Sequence, residues 1–226
     1  MFFEKNIAFL KQQRPQLGSK DFWEKLSGSS QFLPQQLLDL CAMSGYSLQH
    51  LIHSDLTAIK ALSDGIKLVV FDVDGVLTDA GMYYTESGDE FKKFNARDGL
   101  AIKALPKLGF YTGIISHGKN IHLISNRAAL LGITKVYCGN EPKDKVLLEW
   151  CNELNIAPKQ VAYIGDDVND LSIMALCGLT AAPSDAMEQV KNKVDIVLRA
   201  EGGKACVREW IDHYILPEPI NEKTFK

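Results

Sequence analysis

Two short apolar runs in this chain each end in glycine and carboxylates. Ile66-Lys67-Leu68-Val69-Val70 leads into Phe71-Asp72-Val73-Asp74-Gly75, and Val161-Ala162-Tyr163-Ile164 leads into Gly165-Asp166-Asp167-Val168-Asn169-Asp170. Such runs are predicted to be buried parallel strands, and open α/β sheets place their ligands beyond the carboxyl ends of those strands. Ionised carboxylates beside a core are costly unless a metal or a partner charge neutralises them. Mg2+ takes oxygen ligands and is commonly held by one or two carboxylates plus a substrate phosphate, so Asp72 with Asp166 makes a candidate cation site. Asp167 or Asp170 would then orient the site or hold its waters. Read singly, Asp74-Gly75 is an ordinary turn, Asp167 a turn residue and Asp170 a helix N-cap. Singly read, however, they leave Asp166 beside Asp72 unexplained.

A third strand end, Ile114-Ile115-Ser116-His117-Gly118, offers a hydroxyl and backbone N–H groups at a helix N-terminus, which suits an anion. A lysine within Gly139-Asn140-Glu141-Pro142-Lys143-Asp144-Lys145, aimed into an acidic cleft, would stabilise both the carboxylates and a bound phosphate. Spacing alone leaves Lys143 and Lys145 both open.

These residues need a scaffold that brings strand ends together. From residue 66 onward, strands are expected at 66–72, 110–115, 134–138, 160–165, 178–182 and 195–198. Helices are expected at 98–108, 119–131, 144–154, 168–176, 184–192 and 203–215. The alternation predicts βαβ units and a mainly parallel sheet covered on both faces. Residues 80–95 interrupt it with Ser87-Gly88-Asp89 between aromatic-rich runs, the pattern of a β-hairpin. Residues 1–64 read as a separate helical accessory unit, and 65–226 as the α/β domain.

At 226 residues and 46% hydrophobic content, the chain can bury one sizeable core and a small second unit. A net charge of -3 gives no general attraction to polyanions or acidic membranes. No apolar span or secretory leader stands out, so no membrane association is expected. Five scattered cysteines without a Cys-x-x-Cys pair read as thiols in a reducing cytoplasm.

Taken in order, Asp72 to Asp79, strand-Ser116, a lysine, and Gly165-Asp166-Asp167 with Asp170 resemble the haloacid dehalogenase-like phosphohydrolases. The stretch Phe94-Asn95-Ala96-Arg97-Asp98-Gly99 and the tail from Gly202 to Glu209 are most similar to its cap-less branch, which includes phosphatases of keto-sugar acids. The resemblance implies a Rossmann-like three-layer fold with a β-hairpin flap and no large cap. It implies Asp72 as nucleophile and Asp74 as general acid and base, with Mg2+ on Asp72, Asp166 and the Asp74 carbonyl. Ser116 and Lys143 would bind the phosphoryl group, with Lys143 preferred over Lys145 on the family's spacing. Thr78, Arg97 and Asn169 would touch substrate, Arg97 through a bidentate pair with a carboxylate. The implied substrate is a phosphorylated keto-sugar acid, 3-deoxy-D-manno-octulosonate 8-phosphate, with a nine-carbon acid 9-phosphate as the alternative. His117 stands where the branch usually has glycine; it could add a donor beside Ser116 or point to solvent, and solvent is the expected destination. The branch closes its open cleft by assembling, usually as a tetramer, and Tyr83, Tyr84, Phe91 and Phe94 suit such an interface.

Residues 5–56 weakly resemble a helix-turn-helix domain whose recognition helix has degenerated to Leu26-Ser27-Gly28-Ser29-Ser30-Gln31-Phe32-Leu33. That stretch is too short for a major groove, and acidic and basic residues roughly balance, so nucleic acid is not the expected partner. A DNA-associated regulator with a ligand-sensing phosphatase-like domain is the competing class. The set Asp72, Asp74, Ser116, Lys143 and Asp166 argues for the enzyme, because a sensor has no need of both Asp72 and Asp74.

Overall fold

The computed structural model describes residues 2–27, 33–46, 48–216 and 218–225. Contacts divide the chain into two compact units, residues 1–61 and Leu62–Lys226.

The first unit is helical: α1 (Phe3–Gln13), α2 (Lys20–Ser27), α3 (Pro34–Ser44), α4 (Leu48–His53) and α5 (Leu56–Asp64), which runs across the division. Phe3, Ile7 and Leu10 recur at helical spacing on α1 and are buried, as are Trp23, Leu26, Leu40, Leu51 and Leu56. Asn6 is buried among them because both of its polar side-chain atoms are hydrogen-bonded. Its amide donates to the carbonyls of Leu51 and Ser54 at 3.0 and 2.7 Å, and its Oδ1 accepts the Leu56 N–H at 3.1 Å. The segment expected to replace a recognition helix falls largely on residues 28–32, outside the described residues.

The second unit begins with β1 (Leu68–Phe71), followed by a two-stranded hairpin of β2 (Tyr83–Tyr84) and β3 (Glu90–Phe91). Then come α6 (Ala96–Lys107), β4 (Tyr111–Ser116), α7 (Ile121–Leu131), β5 (Lys135–Cys138), α8 (Lys143–Leu154) and β6 (Val161–Ile164). The chain continues through α9 (Leu171–Met174), β7 (Leu179–Ala182), α10 (Glu188–Lys191), β8 (Ile196–Val197) and α11 (Cys206–Trp210). Six strands form one parallel sheet in the order β5-β4-β1-β6-β7-β8. The strand order reverses beside β1, so a crevice opens at the carboxyl ends of β4, β1 and β6. Phe71 pairs in register with Ile114 and Ile164, which brings Asp72, Ser116 and Asp166 to the same sheet edge.

β1 and β6 are buried along their whole length, as strands covered on both faces must be. One apolar layer holds Val70, Ile115, Leu147, Trp150, Tyr163 and Ile173. Gly113 makes room for it, because a Cβ there would meet the Trp150 ring at 2.5 Å. Phe71 and Trp210 meet edge to face at 6.2 Å. Two expected helices are broken. Asp167 accepts the Val168 N–H at 2.6 Å and starts a tight 3-10 turn at Val168–Asp170 before α9, while α11 widens into a π-helical stretch at Ile211–Ile215. No helix among the described residues is long and apolar enough to cross a membrane.

Candidate active site

The crevice forms a cleft of about 420 Å³ floored by Asp72, Asp74, Ser116 and Asp166, with Met82, Tyr84 and Glu90 of the hairpin region on its wall. Asp72 follows directly from β1. The Asp72 N–H still donates to the Ile164 carbonyl at 3.0 Å, so the backbone at Asp72 is fixed by β6. Gly75 has φ +82 and lies so close to Asp166 that a Cβ would sit 2.0 Å from its Oδ2. Only glycine combines that conformation with that approach.

One oxygen each from Asp72, Asp166 and Asp170 lies within 4.8 Å of the others. The three are not equivalent. Asp170 is fully buried, and its Oδ1 accepts from the Lys143 ammonium and the Tyr163 hydroxyl, both at 2.6 Å. Its Oδ2 accepts the N–H groups of Asp166 and Asp167 at 3.0 and 3.3 Å. Asp170 is therefore saturated, and Asp72 with Asp166 are the carboxylates free to take a cation. Lys143, 1% exposed at the start of α8, also reaches Asp72 Oδ1 at 3.0 Å.

Charge balance argues for a further positive group. Burial first, then Asp170, pushes the Asp72 carboxyl up to about 7 against the pull of Lys143. Burial, then Asp72 and Asp170, pushes Asp166 up to about 8. Burial opposes the charge on Lys143, but Asp72 and Asp170 outweigh it and hold the ammonium above its ordinary range. One ammonium does not offset three converging carboxylates. An all-oxygen donor set with this excess of negative charge fits a hard divalent cation.

Ser116 ends β4 and is buried, and its Oγ accepts the Gly118 N–H at 3.0 Å. Asn169 lines the cleft, as do Asp167, Gly118 and Lys119. His117 is half-buried at the mouth of the crevice. It lines the cleft, with Nε2 3.1 Å from the Glu141 carbonyl and Nδ1 3.4 Å from the Asn169 amide. A carbonyl can only accept, so Nε2 carries the proton and Nδ1 accepts from Asn169.

Two expected substrate contacts are not at the cleft surface. Thr78 is buried, donating to the Val73 carbonyl and accepting the Ala80 N–H, both at 3.3 Å, so it shapes the loop after β1. Arg97 is exposed in the first turn of α6, where its N–H is capped by Asn95 at 2.8 Å. Its guanidinium is not part of the cleft lining.

Lys92 is the residue that the sequence reading missed. It directly follows β3, its side chain is 2% exposed, and its ammonium pairs with Asp74 at 2.5 Å and Glu90 at 2.9 Å. Burial opposes its charge, and the hydrogen bonds to Asp74 and Glu90 outweigh that opposition, raising it above the ordinary lysine range. Strand alternation held the signal, because Glu90 and Lys92 share one face while Phe91 takes the other.

A family model for haloacid dehalogenase-like hydrolase matches residues 116–201. The 3-deoxy-D-manno-octulosonate 8-phosphate phosphatase of Escherichia coli strain B / BL21-DE3 is 38% identical over 160 residues, which cover 71% of this chain and 85% of that one. The chain belongs to the haloacid dehalogenase-like hydrolases. Within these hydrolases it is a phosphatase. The crystal structure of the Yersinia pestis 3-deoxy-D-manno-octulosonate 8-phosphate phosphatase is similar at TM-score 0.68 and 37% identity, covering 71% of this chain and 86% of that one. A Moraxella catarrhalis structure of that hydrolase, in complex with magnesium ion, phosphate ion and a KDO molecule, is similar at TM-score 0.69 and 30% identity, covering 73% and 94% of the two chains.

Proposed function

We propose that this phosphatase is a Mg2+-dependent phosphomonoesterase that hydrolyses 3-deoxy-D-manno-octulosonate 8-phosphate through an aspartyl-phosphate on Asp72. The observation that carries the reading is the convergence of Asp72 and Asp166 on one sheet edge, with Lys143 3.0 Å from Asp72 Oδ1. Similarity to the Escherichia coli enzyme over most of both chains supports the substrate. The Moraxella catarrhalis complex supports the metal.

Asp72, Asp166 and the Asp74 carbonyl would hold Mg2+, which when bound neutralises charge on the transferring phosphoryl group. Lys143 fixes one oxygen of Asp72, leaving the other to attack phosphorus from the cleft floor. As the new P–O bond forms and the ester P–O bond breaks, Asp74 gives its proton to the departing alkoxide. Ser116 and the N–H groups of its loop hold phosphoryl oxygens. A water then attacks phosphorus, Asp74 takes its proton, and inorganic phosphate leaves Asp72. Asn169, held by His117, borders the space the sugar acid would occupy. Tyr83, Tyr84 and Phe91 are each about half exposed on the hairpin, which supports assembly as a homotetramer that closes the cleft.

The direct test compares kcat/KM on the eight-carbon and nine-carbon acid phosphates with Mg2+ and after chelation. The eight-carbon ester is expected to be favoured at least tenfold, with activity lost to chelator and restored by Mg2+. Equal rates on the two esters would remove the substrate assignment, and chelator resistance would remove the metal.

A further inference from the structure

The hairpin carries a cation into the site that no step above uses. Lys92 sits on a flap of two-residue strands whose Tyr83, Tyr84 and Phe91 side chains are about half exposed, yet its own side chain is 2% exposed. An ammonium so enclosed persists only where carboxylates hold it, and both of its partners face the cleft: Asp74 at 2.5 Å and Glu90 at 2.9 Å. Its neighbour Lys93 shows the ordinary alternative, a solvated pair with Asp79 at 3.1 Å with its side chain 69% exposed. The Lys92 contact is also selective between the two oxygens of Asp74. Oδ1 takes the ammonium, while Oδ2 lies toward Gly118 in the Ser116 loop, 3.8 Å from where a Cβ on Gly118 would stand.

We propose that Lys92 is the positioning residue for Asp74, pinning Oδ1 so that Oδ2 is presented to the oxygen that leaves phosphorus. The inference rests on the reading of Asp74 as general acid. The ammonium keeps its proton throughout. The proton that moves comes from Asp74 Oδ2 to the alkoxide, and Lys92 stabilises the carboxylate left behind while Glu90 anchors Lys92 from the hairpin side. The flap thereby becomes part of the proton-transfer apparatus as well as a wall of the cleft.

A general acid matters in proportion to how poor the leaving group is. An alkoxide needs its proton, whereas p-nitrophenolate departs without one. The value of kcat/KM should therefore be measured on p-nitrophenyl phosphate and on the better of the two keto-sugar acid phosphates, for wild type, Lys92→Met, Lys92→Arg, Lys93→Ala and Asp74→Asn. Lys92→Met is expected to lose at least tenfold more on the sugar ester than on the aryl ester. Lys92→Arg should recover most of that difference, and Lys93→Ala should show no difference between esters. If Asp74→Asn discriminates between the esters and Lys92→Met loses equally on both, Lys92 acts through binding or folding and the inference is overturned. If Asp74→Asn itself fails to discriminate, the acid assignment to Asp74 is wrong and the inference goes with it.

Discussion

At the scale of single residues, the site is a problem of charge. Lys143 is the single buried ammonium among Asp72, Asp166 and Asp170, and two of those three bind it directly. Removing one partner of a buried ion pair typically costs about 3–5 kcal/mol, because the remaining charge has no water to replace it. Lys143→Met should therefore lose at least about 3 kcal/mol in urea unfolding at pH 7.5 without added cation. Added Mg2+ should recover part of that loss, since it neutralises the same carboxylates. A loss below about 1 kcal/mol, the range of an exposed pair, would mean that the acids are not held together as described. Tyr163 belongs to this group as well, its hydroxyl spent on Asp170, and burial followed by the nearby carboxylates pushes that hydroxyl well above its usual range.

At the scale of elements, the loop after β1 is held by the tail before α11. A Cβ on Gly202 would meet the Gly75 carbonyl oxygen at 2.0 Å, and the Gly203 N–H donates to the Val76 carbonyl at 2.9 Å. Asp98 on α6 completes the clamp by accepting the Arg208 N–H at 2.7 Å, which caps α11. Burial, set against N–H donors from Arg208, Ala205 and Val207, raises the Asp98 carboxyl from 3.8 to about 6. The folded chain therefore favours the protonated form. Its stabilising contribution is whole below pH 3.8 and is lost as pH rises through about 6. Asp98→Asn should gain stability relative to wild type across that window, by up to about 3 kcal/mol, and the difference should level off above it. A difference in Tm that stays flat from pH 4 to 7 would contradict this placement.

Much of this architecture was legible in the chain. Apolar runs ending in Asp72, Ser116 and Asp166 marked the strand ends, because buried parallel strands leave a continuous signal. The surroundings of Thr78 and His117 were not legible, because the course of their loops is set by contacts distant in sequence, such as Gly202 on Gly75. Lys92 was missed because a lysine beside Lys93 in a short hairpin reads as solvated until its contact with the distant Asp74 is seen.

At the scale of the whole molecule, the flap is short and its apolar residues are uncovered in one chain. Met82 and Phe91 are each 56% exposed. If four chains cover these faces, light scattering should give a mass near four times 25.1 kDa, and Phe91→Asp should lower it. A monomer at micromolar concentration would contradict the assembly. The central claim is chemical, and it is tested most directly by trapping the enzyme mid-reaction. Asp74→Asn mixed with Mg2+ and p-nitrophenyl phosphate, whose departure needs no acid, should stall after the first step. Acid quenching and peptide mass spectrometry are then predicted to find a phosphoryl group on Asp72. Continued turnover with no phosphoryl group on the protein, or with one on another residue, would contradict the account.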